Sequence, residues 1–239
     1  MLITNEIKSA VITGGSKGIG YAIAKYLSEN GYKLLLLARN ENSLKAAVES
    51  LGSEHSYAVV DVANSNEVNN AINQFVNDFG KIDLLINSAG YVKRGTSSLA
   101  ENEFMKMLST NLLGVFNMVS AVVPYMKKQC HGRIITIGSY SGKVARSAMG
   151  GYAASKFGVM GLNESLYKEL APFGISVTAI CPNLVDTEMT ADVNMPRDKM
   201  IKTDDIVKTV DYLINLSANV AVKEIVFQCK AKLIQDETS

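Results

Sequence analysis

Several things are scarce in this 239-residue sequence, and each scarcity excludes a class of protein. The three cysteines, Cys130, Cys181 and Cys229, are odd in number, far apart and without a C-x-x-C spacing. They read as free thiols in a reducing compartment rather than as a disulfide framework. The two histidines, His55 and His131, stand isolated; neither is placed to ligate a metal, and each reads as an ordinary loop residue. Neither sign of charge is in surplus, with 24 Lys and Arg against 23 Asp and Glu. That balance argues against a chain-wide hold on nucleic acid or anionic membrane. No uninterrupted apolar run reaches the ~18 residues of a membrane span; Leu34 to Leu37 is bounded by Lys33 and Arg39. Met1 to Lys8 has no signal-peptide pattern. The expectation is a cytoplasmic globular protein. A chain of this length buries roughly 70–75% of its unfolded surface and needs no covalent or metal staple.

What is present is a repeating punctuation. An amphipathic segment ends, a glycine follows, and a short β-branched or Leu-rich run begins, at Gly31, Gly80, Gly132 and Gly174. Glycine closes a helix in the left-handed conformation, and a short apolar run after it suits a strand covered on both faces. Four such units imply alternating α and β with parallel strands. The pattern predicts strands near 10–13, 33–38, 57–60, 84–87, 134–138, 176–181 and 224–227. Helices are expected near 18–30, 41–51, 64–79, 101–128, 151–171 and 203–216. Nothing divides the chain, so residues 1–239 read as one doubly wound, Rossmann-type α/β domain with a parallel sheet of about seven strands. Residues 139–150 and 182–202 lack periodicity and follow strand carboxyl ends, where open α/β sheets bind ligands.

The first strand runs into Thr13-Gly14-Gly15-Ser16-Lys17-Gly18-Ile19-Gly20 and then into a helix. Strand, Gly-rich turn and helix N-terminus together make an anion site, because glycines admit a pyrophosphate and the helix dipole favours its charge. The Gly-x-x-x-Gly-x-Gly spacing resembles the classical short-chain dehydrogenase/reductase family. By that resemblance Gly14, Ser16, Lys17, Gly18, Ile19 and Gly20 hold a dinucleotide. Where the second strand ends there is no carboxylate at Ala38; Arg39, with Lys17, is suited to a 2′-phosphate, as in members of the family that use NADP(H). The bland alternative is a solvated Arg39 paired with Glu41. Asp61-Val62 resembles the family's adenine contact. Asn87-Ser88-Ala89-Gly90 resembles its Asn-Asn-Ala-Gly, which adds Asn87, Ala89 and Gly90 to the cofactor set.

Tyr152 and Lys156 lie one helical turn apart on one face, thirteen residues after Ser139. A cation there favours the phenolate and suits Tyr152 to proton exchange, and the same ammonium could hold a nicotinamide ribose. Ser139 can hydrogen-bond a substrate oxygen as it gains charge. Asn111, inside a strongly helical stretch, could kink the helix or organise a water leading from Lys156. The family's tetrad is Asn, Ser, Tyr, Lys, and Asn111, Ser139, Tyr152 and Lys156 match it in order. Pro182-Asn183-Leu184-Val185-Asp186-Thr187 resembles the family's Pro-Gly-x-Val-x-Thr, so Pro182, Val185 and Thr187 would meet the nicotinamide. Asn183 replaces the usual glycine, and Asn tolerates positive φ best.

The resemblance implies hydride transfer between NADP(H) and a carbonyl or secondary-alcohol substrate. Two alternatives are 3-oxoacyl-carrier-protein reduction specifically and a non-catalytic NADP-sensing regulator. It also implies a homodimer or homotetramer packed through the helices near 101–128 and 151–171, with Gly158 and Gly161 permitting close approach. Leu184, Met189, Val193 and Met195 suit an apolar lid over 183–202. Lys93-Arg94 and Arg146 either attract an acidic substrate or are solvated, and Lys127-Lys128 either caps a helix or docks an acidic carrier.

Overall fold

The computed structural model describes residues 8–237, with side chains described as far as Ile234. Met1 to Ile7, on which the leader reading rests, and Thr238-Ser239 of the single-domain reading lie outside the described residues. Seven strands form one parallel sheet: β1 Ser9–Thr13, β2 Lys33–Ala38, β3 Ser56–Val59, β4 Leu84–Asn87, β5 Gly132–Ile137, β6 Ile175–Cys181 and β7 Glu224–Val226. Their spatial order is β3-β2-β1-β4-β5-β6-β7. The order reverses between β1 and β4, the place where doubly wound sheets open a ligand crevice.

The leucine run of β2 shows why the sheet takes helices on both faces. Leu35 and Leu37 join a core with Val11, Leu85 and Ile134, while Leu34 and Leu36 join a second core with Ala10, Ile12 and Ile86. Successive side chains in a strand point to opposite faces, so an unbroken apolar run is stable only where both faces are covered. Burying each leucine contributes about 2 kcal/mol. Helix α3 (Ser65–Phe79) covers the first face through Val68, Ile72 and Phe75. On the second face lie α1 (Gly18–Glu29), α2 (Glu41–Leu51) and α7 (Thr203–Ile214).

The expected helix 101–128 is three pieces: α4 Glu101–Leu108, a π-helical turn Ser109–Leu113, and α5 Gly114–Gln129. By length and composition the stretch Glu101–Gln129 could cross a membrane, but half of its most apolar window is buried inside the protein. Helix α6, Gly150–Leu170, packs beside it. Gly158 serves that contact within the chain, since a Cβ there would lie 2.8 Å from Leu112 Cδ2; Gly161 faces open space. The reading of both as points of approach between subunits is therefore corrected for Gly158.

Three of the four punctuating glycines close helices as expected, with φ of 77° at Gly31, 81° at Gly80 and 70° at Gly174. Gly132 does not. Cys130 takes the left-handed position after α5 at φ 50°. Gly132 instead begins β5, where a Cβ would strike Met126 Cγ at 2.6 Å. A short helix α8, Lys230–Glu237, follows β7, in a segment with no predicted element.

His55 lies in the loop between α2 and β3, as read, but not at the surface. It is buried, and neither ring nitrogen has a hydrogen-bond partner among the described residues. Cys181 packs as a small apolar residue, with Sγ 3.4 Å from Met160 Sδ.

Candidate active site

A cleft of about 980 Å³ opens at the carboxyl ends of the strands around the switch point. Its floor on one side is the turn after β1. Gly14 takes φ +64°, and a Cβ on it would lie 3.0 Å from the Ala89 nitrogen and the Ser88 oxygen. A Cβ on Gly20 would collide with the Gly14 carbonyl. The Thr13 hydroxyl accepts from the backbone nitrogens of Ser88 and Ala89, each at 3.0 Å, locking this turn to the one after β4.

The N-termini of α1, α2 and α3 differ in a telling way. Asn40 caps α2 and Asn64 caps α3 through side-chain oxygens. No side chain caps α1, whose Ncap is Lys17. Gly18 and Ile19 of its first turn line the cleft, and an uncapped helix start so placed suits phosphate oxygens. The side-chain-free cradle at Gly14 and the uncapped α1 thus fit a dinucleotide pyrophosphate.

Lys17 does not reach across to Arg39. Its Nζ pairs with Glu188, on the segment after β6, at 2.9 Å, with both groups exposed. Arg39 is exposed after β2 and makes no ion pair among the described residues. The alternative partner Glu41 is taken by Lys45 at 2.9 Å. Asp61 accepts the Ala63 N–H at 3.0 Å in a local turn. The Val62 side chain is buried, and its carbonyl accepts from Asn117 at 2.9 Å.

Opposite the turn, Ser139, Tyr152 and Lys156 all line the cleft. Ser139 Oγ accepts the Ser141 N–H at 3.1 Å, which leaves its own proton for another acceptor. Lys156 donates to the Ile137 carbonyl at 2.9 Å. Burial lowers its pKa from 10.5 to about 8. Burial raises the Tyr152 phenol above its ordinary value, and the Ser139 hydroxyl beside it opposes that rise. The expected lowering by the Lys156 cation is therefore corrected: desolvation dominates and raises the phenol, and the polar group that opposes the rise is Ser139 rather than Lys156.

Asn111 sits within the π turn and is fully buried. Its Oδ1 accepts the Tyr91 N–H at 2.7 Å, and its Nδ2 donates to the Tyr91 carbonyl and to Ser155 Oγ, each at 2.9 Å. The side chain thus pins the loop after β4 to α6. Of the two readings of Asn111, the kink is the one seen, since the helix departs from α geometry at this residue.

Of the other expected residues, Gly14, Lys17, Gly18, Ile19, Ala89, Gly90, Pro182, Val185 and Thr187 line the cleft, whereas Ser16, Gly20, Arg39, Asp61, Val62, Asn87 and Asn111 stand behind or beside it. Leu184, Met189, Val193 and Met195, on the segment after β6, also line it. That segment carries two short 3-10 turns, and Arg197 and Lys202 both pair with Asp186. Asn183 has no positive φ; the expectation that Asn there relieves a left-handed turn is corrected. Its backbone N–H is tied to the Phe227 carbonyl at 3.0 Å, and its buried Nδ2 lacks a partner among the described residues. Sequence reasoning missed Tyr91 and Lys232, both of which line the cleft. Neither carries a local motif.

The sequence model of the short chain dehydrogenase family matches residues 8–198. The chain belongs to that family. It is an oxidoreductase that works with a nicotinamide dinucleotide. The 3-oxoacyl-[acyl-carrier-protein] reductase of Escherichia coli (strain K12) is 36% identical over 186 residues, covering 77% of this chain and 76% of that protein. Among solved structures, a betaketoacyl-[ACP] reductase from Bacteroides thetaiotaomicron superposes with a TM-score of 0.84 at 33% identity, over 95% of this chain and 99% of that one. An alcohol dehydrogenase from the archaeon Thermococcus sibiricus, complexed with 5-hydroxy-NADP, gives a TM-score of 0.85 at 31% identity, over 94% and 97% of the two chains. This short-chain dehydrogenase has the seven-stranded parallel sheet its sequence pattern calls for.

Proposed function

We propose that this short-chain dehydrogenase reduces a ketone at the cleft face formed by Ser139, Tyr152 and Lys156, with NADPH held by the turn after β1. The observation that carries the reading is the convergence of those three side chains in the cavity that also contains the Gly14 cradle. NADPH, when bound, supplies the hydride; the chain supplies placement and electrostatics. Gly14, Ser16, Gly18, Ile19 and Gly20 receive the pyrophosphate, and Lys17 and Arg39 the 2′-phosphate. Asp61 and Val62 border the adenine, Asn87, Ala89 and Gly90 the adjoining ribose, and Pro182, Val185 and Thr187 the nicotinamide.

Tyr152 donates its proton to the substrate oxygen, and the raised phenol pKa keeps that proton in place at neutral pH. Ser139, its oxygen already accepting from Ser141, turns its hydroxyl proton to the same substrate oxygen as charge develops there. Lys156 has N–H groups beyond the one given to Ile137, and these serve the ribose and the phenol. Asn111 acts as a positioning residue and contributes to proton resupply through the carbonyls loosened by the π turn.

The whole chain is read as one cytoplasmic catalytic domain, with 183–202 as its lid. It would act as a homodimer or homotetramer on small molecules, without nucleic acid or membrane. Exposed apolar side chains on α5 and α6, Phe116 and Phe157, support a partner copy. Docking of an acidic carrier at Lys127 is disfavoured, because Lys127 pairs with Glu169 at 3.1 Å and lies over the Phe173 ring. A panel of ketones followed by NADPH absorbance tests the proposal. Turnover of at least one supports it. NADPH binding without turnover of any would instead mark the protein as a cofactor sensor.

A further inference from the structure

Resting on the ketone-reductase reading above, we infer that the substrate carries an anionic group remote from its reacting carbon, read by Arg94 and Arg146 at the substrate end of the cleft. Lys93 and Arg94 lie on the loop after β4, and Arg146 on the loop between Ser139 and Tyr152; all three line the cleft, as does Lys232 of α8. The two loops are held together. Gly95 donates to the Ala148 carbonyl at 2.7 Å, and Gly150 donates to Thr96 Oγ1 at 3.0 Å.

Ala148 takes φ 59° to present that carbonyl, a conformation non-glycine residues rarely adopt. The strained link sets Arg94 next to the Arg146 loop, four residues before Tyr152 begins its turn of α6.

The charges on the two loops are not spent on neighbours. Lys93, Arg94 and Arg146 make no ion pair among the described residues. Arg146 is half-buried and stacks over the Tyr140 ring at 5.7 Å, which orients its guanidinium. The cleft's two carboxylates do not cancel them, since Glu188 is paired with Lys17 and leaves only Asp192. Nor does the cofactor account for them. On the reading above its phosphates belong to the turn after β1 and to Lys17 and Arg39, whereas Arg146 lies on the loop between Ser139 and Tyr152, and that loop is bonded to the one carrying Lys93 and Arg94. Guanidinium groups favour carboxylate and phosphate oxygens. The apolar lid side chains Leu184 and Met189 line the intervening space. The substrate class is thus a ketone with a short apolar stretch ending in a carboxylate or phosphate.

The test uses matched pairs with the intact protein and NADPH. The carboxylates 4-oxopentanoate and 6-oxoheptanoate are compared with their methyl esters, and 4-oxopentyl phosphate with 5-hydroxypentan-2-one. At low ionic strength kcat/KM for the anion should exceed that of its neutral partner by about tenfold or more, and added salt should shrink the ratio. Which pair shows it tells carboxylate from phosphate. In the double variant Arg94→Gln/Arg146→Gln the ratio should fall about tenfold, with an unchanged thermal midpoint reporting that it folds. Neutral partners turned over as well as the anions, an undiminished ratio in the variant, or turnover only of a thioester on an acidic carrier protein would overturn the inference alone. Turnover of no ketone at all would overturn the ketone-reductase reading, and this inference with it.

Discussion

The Lys156 ammonium sits 5.8 Å from the centre of the Tyr152 ring and gives its hydrogen bond to the Ile137 carbonyl, at 2.9 Å, rather than to the phenol. The pair is therefore poised but not directly bonded, and its two pKa shifts run in opposite directions. Burial holds the phenol protonated and makes the ammonium easier to discharge. Reduction needs the proton on Tyr152 and the charge on Lys156. With Lys156 at about 8, kcat/KM for reduction should hold at neutral pH and decline as pH rises through that value. The pH profile of initial rates checks this.

Tyr152→Phe removes the proton donor while keeping the ring. Turnover should fall by roughly a hundredfold to ten-thousandfold, the usual span for a lost general acid. NADPH affinity, read by fluorescence, should change little. Turnover near the parent level would assign proton donation elsewhere.

Lys156→Met should inactivate the protein yet stabilise it. The folded-state pKa is depressed, so its contribution to stability is present above 10.5 and lost as pH falls to about 8. At neutral pH the buried ammonium costs about 3 kcal/mol, at 1.36 kcal/mol per pKa unit. Losing the bond to Ile137 offsets about 1 kcal/mol of that. Tm should rise by several degrees at neutral pH, and the gain should vanish in strongly alkaline buffer. Calorimetry at two pH values measures both.

His55 gives the protein an acid-sensitive point. Burial lowers its pKa below 6.5, while the Glu54 carboxylate at 4.0 Å works the other way. The folded state binds the proton less readily than the unfolded chain, so stability is lost as pH falls through 6.5 and below. Urea midpoints at about pH 8 and pH 5 should differ more for the parent than for His55→Leu.

Lys17 is paired with Glu188, so on the proposed reading a cofactor phosphate would have to compete with that carboxylate. Glu188→Gln should tighten NADPH a few-fold, in keeping with the modest strength of exposed pairs. Arg39→Ala should cut the preference for NADPH over NADH by about tenfold or more, as expected when a charge-assisted phosphate contact is removed. Titrations with both cofactors distinguish the two effects.

Much of the fold was legible because its signals are local. A left-handed glycine ends a helix wherever it occurs, and four leucines in a row between turn residues can satisfy only a strand buried on both faces. The same logic failed at Gly132, where the reason for a glycine was Met126, a residue on the preceding helix. It failed again at Asn183, which has no positive φ and whose N–H is bonded to the distant Phe227 carbonyl. The π turn at Asn111 was visible only as a misfit of residue type, because what holds it is the Tyr91 backbone, twenty residues away.

By itself the sequence determined the αβ alternation, the Gly-rich turn, the order of the site motifs and the one-turn spacing of Tyr152 and Lys156. All depend on contacts a few residues long or on chemistry carried by residue type. Only the tertiary structure decided that Lys17 meets Glu188, that His55 is buried, that Ser139 is a polar neighbour of Tyr152, and that Arg94 and Arg146 line one cleft on loops bonded to each other. Those relationships join residues remote in the chain, and their electrostatics depend on how much water the packed elements exclude, which no local pattern records.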